Sequence, residues 1–107
     1  MSREDLKMQA GATFRVRFYV LQRDHGTIVG NLTGASVTMT LYDHAGGTAV
    51  YPFTGSVVTG STALCEVEVT PTQVDTVTEG NYWYRIVVTL GSATYVPLEG
   101  IVTKEAA

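Results

Sequence analysis

The residues best suited to chemistry in this sequence are two Asp-His pairs, Asp24-His25 and Asp43-His44. Two imidazoles and two carboxylates would be suitable ligands for zinc or manganese if the fold brought both pairs together. Each pair stands shortly before glycine, however, in a segment typical of an exposed turn, where adjacent side chains point apart. The sequence has no third histidine. We therefore predict no metal site and no cofactor.

The other side chains capable of catalysis lie in a strand-like segment. Cys65 lies on the inward side of the strand together with Ala63 and Val67, where a thiol usually acts as a small apolar group. Glu66 and Glu68 share the opposite face, whereas a glycosidase needs two carboxylates opposed across a cleft. The sequence therefore predicts that the protein is not an enzyme.

Two further motifs have ordinary structural interpretations. Asn31-Leu32-Thr33 matches the glycosylation sequon, but the first ten residues lack the apolar stretch of a signal peptide, so we predict that Asn31 begins a turn. Arg15, Arg17 and Arg23 form the basic cluster of a chain whose net charge is -3. We expect these arginines to be solvated or ion-paired, and we predict no nucleic-acid partner.

Length and composition fit one small domain. The 107 residues are 45% hydrophobic and 16% charged, which excludes disorder by composition. A single cysteine excludes an internal disulfide and a zinc site built on several thiolates. No apolar run approaches the ~18 residues of a membrane-spanning helix, so we predict no membrane partner and synthesis in a cytoplasm.

Alternation of apolar and polar residues predicts four strands, at residues 13–21, 35–42, 63–70 and 81–90. Three weaker strands are predicted at residues 48–53, 55–59 and 93–102, and Pro52 and Pro97 favour edge positions for the first and the last of them. The inward positions of the four stronger strands are Phe14, Val16, Phe18, Val20, Ala35, Val37, Met39, Leu41, Ala63, Cys65, Val67, Val69, Tyr82, Tyr84, Ile86 and Val88. The spacing of strands and turns is typical of a β-sandwich or barrel.

Two segments depart from the strand pattern. Thr70 and Pro71 suit the cap and first turn of a short helix that crosses between sheets, with Val74 and Val77 inward. Residues 1–10 are predicted to be an N-terminal arm, either a loose tail or a segment that becomes ordered against something else. The domain would then span residues 11–103, and residues 104–107 would form a simple end.

Aromatic side chains provide the candidate interface. If Tyr82 and Tyr84 face the core, Trp83 faces outward, alongside Tyr19 and Tyr42 from other strands. Large aromatic groups on the outside of a sheet are typical of protein interfaces or sugar-binding platforms. In the alternative interpretation, Trp83 packs under a loop or belongs to the core in a shifted register.

The order of these features resembles an immunoglobulin-like structural module of tailed phages, similar to the N-terminal domain of their baseplate upper proteins. The resemblance covers about residues 11 to 103. Its segments are Gly11-Ala12-Thr13-Phe14, Asp24-His25-Gly26, the run from Asn31-Leu32-Thr33-Gly34-Ala35 to Leu41, Thr70-Pro71 with Val74, and Gly80-Asn81-Tyr82-Trp83-Tyr84 continuing to Val88.

The resemblance implies an all-β, immunoglobulin-like sandwich of about seven strands with one short helical crossover. It also implies a non-enzymatic virion component, present in many copies, that binds capsid, neck, tail or baseplate proteins. In the baseplate proteins the module is the head of a longer polypeptide, whereas here it accounts for nearly the whole sequence, so we expect a free-standing subunit. The candidate interface residues are Leu6, Met8, Tyr19, Tyr42 and Trp83. The alternative function is a carbohydrate-binding or adhesive module that uses Trp83.

Overall fold

The fold was analysed in a computed structural model that describes residues 2–20 and 31–105. These residues form nine strands, one short α-helix and one 3-10 turn at Gly60–Thr62. The strands are β1 (Ser2–Arg3), β2 (Leu6–Gln9), β3 (Phe14–Tyr19), β4 (Ser36–Tyr42), β5 (Ala49–Thr54), β6 (Ser56–Thr59), β7 (Leu64–Val69), β8 (Gly80–Leu90) and β9 (Ala93–Glu105), and the helix is α1 (Pro71–Asp75). The all-β prediction is confirmed.

The strands form two sheets that pack face to face. A six-stranded sheet has the order β1-β9-β8-β4-β5, with β2 also paired to β9, and a three-stranded sheet has the order β3-β7-β6. In this arrangement β8 lies between β4 and β9, and β7 lies between β3 and β6. This is the strand order of an immunoglobulin-like sandwich.

A tyrosine at the start of β8 supports the same fold. The hydroxyl of Tyr82 donates a 2.6 Å hydrogen bond to the main-chain carbonyl of Thr78, four residues upstream. This is the tyrosine corner that immunoglobulin-like domains place where the chain enters the corresponding strand. The ring of Tyr51 packs edge-on against Tyr82, with 5.7 Å between centroids. Nearby, the buried Lys104 donates from Nζ to the carbonyl of Val77 at 2.8 Å.

The four stronger strand predictions are confirmed by β3, β4, β7 and β8. Their predicted inward residues lie in the core or, for Val16, Ala35 and Tyr82, pack partly buried against it. The core occupies the space between the sheets, and its centre includes the fully buried side chains of Met39, Leu41, Val67, Tyr84 and Ile86. Strand alternation therefore identified the core residues of these four strands correctly.

Of the weaker strands, β5 lies at a sheet edge as Pro52 predicted, because β5 pairs with β4 alone among the described strands. The edge position predicted for β9 is wrong. β8 pairs along one side of β9. β1 and β2 pair along the other side, between Leu98 and Glu105 of β9. Pro97 lies just beyond that paired stretch, where it needs no donor, and the β8–β9 register shifts close by, between Ile86 and Val88.

The helical crossover is also confirmed. Thr70 caps α1 by accepting a 3.2 Å hydrogen bond from the main-chain nitrogen of Gln73, and the Gln73 side chain accepts one from Thr70 N at 3.1 Å. Val74 and Val77 are buried. The helix joins β7 in one sheet to β8 in the other.

The chain also crosses between the sheets at Gly55, which joins the edge strand β5 of one sheet to the edge strand β6 of the other. Its main-chain nitrogen donates to Val37 O at 2.8 Å. A Cβ at this position would lie 2.5 Å from the carbonyl oxygen of Glu66, so a side chain is excluded where β5 becomes β6.

The outer face of the three-stranded sheet carries an ion-paired ladder. Arg17 Nε contacts Glu66 Oε2 at 2.6 Å, and Arg15 Nη2 contacts Glu68 Oε2 at 2.7 Å. These pairs confirm the ion-paired interpretation of Arg15 and Arg17, whereas Arg23 lies outside the described residues. The hydrogen bond from Arg17 holds the pKa of Glu66 below its ordinary value.

This lowered pKa predicts a pH dependence of stability. Because Glu66 titrates below its ordinary pKa of 4.5 in the folded protein, its contribution is present at higher pH and is lost as the pH falls through the folded-state pKa. We expect Glu66→Gln to flatten the dependence of the urea midpoint on pH between about pH 6 and pH 3. Glu79→Gln is the control, since Glu79 takes part in none of the ion pairs found among the described residues. Equal pH profiles for the two variants would contradict the prediction.

Candidate functional site

The candidate site is a row of large side chains on the outer face of the six-stranded sheet. Tyr42 on β4 pairs with Trp83 on β8, and Trp83 pairs with Ile101 on β9. The three point outward because they alternate with buried neighbours such as Leu41, Tyr84 and Val102. Ile101 is 36% exposed, and the two rings are half-buried. We call Tyr42, Trp83 and Ile101 the outer aromatic row.

Charged side chains border the row on one side. Arg85 is the register partner of Glu99, and its Nε lies 3.3 Å from Glu99 Oε2. Arg3 is the register partner of Glu99 on the other side, and its guanidinium lies 5.5 Å from the centroid of the Trp83 ring. Arg3 is also held by Asp5, 3.6 Å from its Nε. A cation close to the ring is stabilised by the π electrons of the indole.

A shallow cleft lies within this surface. Tyr42, Trp83, Arg85 and the turn residue Gly46 line it. Gly46 adopts a positive φ of 76° in the turn between β4 and β5, which glycine tolerates best. Apart from Arg85, the neighbouring outer positions of β4, β5 and β8 are uncharged; they include Ser36, Thr38, Thr40, Pro52, Thr54 and Val87. The face therefore offers aromatic rings, methyl groups and the guanidinium groups of Arg3 and Arg85 beside the carboxylate of Glu99.

The structure brings together only part of the predicted interface. Trp83 and Tyr42 are cross-strand neighbours, as the alternation predicted. The prediction that Tyr19 lies beside them is wrong, because β3 belongs to the three-stranded sheet; Tyr19 is 54% exposed there. Met8 is 1% exposed and lies in the core of its own chain, so it is not part of an exposed surface beside the row, and Leu6 is half-buried against the same core.

Three residues of the site were missed by sequence reasoning. Ile101, Arg3 and Arg85 reach the row through strand pairing. The alternation of Arg85 with buried Tyr84 and Ile86 was a usable signal. The place of Arg3 depends on a parallel pairing between residues almost a whole chain apart, which no local pattern reveals.

The candidate metal and catalytic residues do not converge in the part of the chain that the structure describes. Residues 2–20 and 31–105 contain no group of three or more His, Cys, Asp or Glu side chains able to hold a metal ion. His44 Nδ1 lies 2.9 Å from its neighbour Asp43 Oδ1 in an exposed turn, and Asp24-His25 lies outside the described residues. Cys65 is buried, and this burial raises the pKa of its thiol.

Asn31 forms the predicted turn. Its side-chain oxygen accepts hydrogen bonds from Thr33 N at 2.8 Å and from Thr33 Oγ1 at 2.6 Å.

Within the described segments, no helix is long and apolar enough to cross a membrane. No protein-family model and no curated protein matches the sequence.

Proposed function

We propose that this protein is a non-enzymatic structural subunit of a tailed-phage virion that docks onto neighbouring virion proteins through the outer aromatic row. The observation that carries the proposal is the alignment of Tyr42, Trp83 and Ile101 across three strands of one sheet face. The phage setting rests on the sequence resemblance, and the immunoglobulin-like strand order and tyrosine corner support that resemblance. Capsid decoration, neck, tail and baseplate positions all fit the proposal.

The physical properties of the row favour a protein partner. Binding energy at protein interfaces is concentrated in Trp, Tyr and Arg side chains near the centre of the contact. Trp83 occupies the middle of the row, with Tyr42 on one side and Arg85 beside it. The surrounding uncharged threonines and valine would be removed from water at a low electrostatic cost.

A glycan is the less favoured ligand for the same surface. Sugar rings stack on an open aromatic face, whereas the guanidinium of Arg3 already lies 5.5 Å from the centre of the Trp83 ring. Arg85 and Glu99, which would supply hydrogen bonds to hydroxyl groups, are paired with each other. We therefore propose docking onto protein as the function of the row.

The test is co-sedimentation of the purified full chain with particles of the phage that encodes it. We expect Trp83→Ala to weaken particle binding at least about 30-fold, the loss typical of a central interface residue. Tyr19→Ala is the matched control, because it removes an exposed aromatic ring from the other sheet and should leave binding unchanged. Failure of the wild-type chain to bind particles, or equal binding by both variants, would overturn the proposal. Inhibition of binding by soluble glycan would favour the carbohydrate alternative instead.

A further inference from the structure

The edge of β9 away from β8 forms a groove that is filled by residues 2–9 of the same chain. β1 and β2 pair with this edge in parallel, over Leu98–Glu99 and from Val102 to Glu105. Met8 fills the core below the groove and is 1% exposed. At the surface, Lys7 Nζ lies 3.2 Å from Glu105 Oε1.

The groove also binds the two residues that lie between β1 and β2, Glu4 and Asp5. The hydroxyl of the buried Tyr84 donates a 2.5 Å hydrogen bond to the main-chain carbonyl of Glu4. Ile101 N donates to Asp5 Oδ1 at 3.1 Å. Gly100 has no side chain where the Glu4 carbonyl lies, and a Cβ there would collide with that oxygen.

An empty groove would be unfavourable. The hydroxyl of Tyr84 would lose its acceptor in a buried position, and the pocket of Met8 would be exposed to water. An occupant needs a carbonyl opposite Tyr84, an acceptor opposite Ile101 and an apolar side chain at the Met8 position. The same segment of a second copy meets all three requirements.

The connection that holds the segment in place is a short turn. Ala12 N donates to Gln9 O at 3.1 Å, and Gly11 adopts a φ of 78°. Beyond the turn, β3 belongs to the other sheet. Opening this turn would release residues 2–9 from β9 while β3 kept its own pairing with β7.

We propose that residues 2–9 exchange between copies of this protein when the copies are crowded, each segment occupying the β9 groove of a neighbour. The contacts in the groove are the same in both arrangements, so the balance depends on concentration and on the turn. A segment tethered by a short linker has an effective concentration of the order of millimolar, which favours the closed form in dilute solution. When copies are held side by side in an assembly, the segment of a neighbour reaches a similar local concentration and competes with the chain's own segment for the groove. The proposal goes beyond docking on other proteins, because it concerns contacts between copies. Arg3 and Asp5 of the segment do contact Trp83 and Ile101 of the row, but these contacts are the same in the closed and the exchanged arrangement.

Cysteine cross-linking tests the exchange. Lys7 and Thr103 are register partners across β2 and β9. Single variants Lys7→Cys and Thr103→Cys, both also carrying Cys65→Ala, would be mixed at millimolar concentration and treated with a short thiol cross-linker. We expect a heterodimer of twice the 11.5 kDa chain mass, whereas a dilute double variant should cross-link internally. Deleting Gly11 and Ala12 to shorten the turn should raise the heterodimer yield.

The control is a mixture of Lys7→Cys with Glu68→Cys, a position on the outer face of the other sheet. Heterodimer yield no higher than in this control, at millimolar concentration and with the shortened turn, would overturn the proposal. Adding Trp83→Ala to the cross-linking pair should leave the yield unchanged. Exchange and docking through the row can therefore fail independently.

Discussion

Replacing Gly100 by alanine is expected to detach residues 2–9 from β9 and to lower the free energy of unfolding by about 3–5 kcal/mol. The added Cβ would collide with the main-chain carbonyl of Glu4, and neither backbone has room to move while the strands remain paired. Displacing Glu4 removes the acceptor of the Tyr84 hydroxyl and takes Met8 out of the core. Burial raises the pKa of Tyr84, so its hydroxyl stays protonated and needs an acceptor throughout the neutral range.

Urea unfolding at neutral pH measures this effect, with limited proteolysis reporting whether residues 2–9 have become accessible. Gly46→Ala is the matched control: Gly46 has a φ of 76° but open space around its Cβ position, so only backbone strain of about 1–2 kcal/mol is expected there. A loss for Gly100→Ala no larger than for Gly46→Ala would show that the N-terminal segment contributes little to the fold.

The parts of the fold that sequence analysis predicted well are those determined by local patterns. The side-chain period of a strand is directly visible in β4, where Val37, Met39 and Leu41 alternate with serine and threonine. The crossover helix was equally accessible, since Thr70 as a cap and Pro71 in the first turn mark its start.

What the sequence did not reveal is which strands become neighbours. Alternation placed Tyr19 and Trp83 on outward faces, which is correct for each strand, but it contains no information about which sheet a strand joins. The two residues consequently lie on opposite faces of the sandwich. Ile101 was missed for a related reason, because the register shift in the β8–β9 pair changes which residues of β9 face outward.

The N-terminal segment was the largest departure from prediction. Four residues of alternation in β2 are too few to distinguish a strand from a helix-tolerant tail, and the partner strand β9 lies at the far end of the sequence. The prediction that residues 1–10 stand apart from the domain therefore treated Leu6 and Met8 as candidates for contact with another protein. The structure instead places Met8 among the largest fully buried side chains of this chain.

Met8→Ala distinguishes these two roles. If Met8 is a core residue, its truncation should destabilise the isolated domain by about 2–4 kcal/mol, because it removes buried apolar atoms and leaves a cavity beneath β9. If Met8 served only to contact a partner, the isolated domain would unfold at the same urea concentration as the wild type. Lys7→Ala is the neighbouring control; this side chain is 67% exposed in a surface ion pair, so its removal should change stability by at most about 0.5 kcal/mol. Equal unfolding midpoints for the two variants would show that Met8 does not contribute to the core. The β9 groove would then lack the core contact that makes it specific for its own segment.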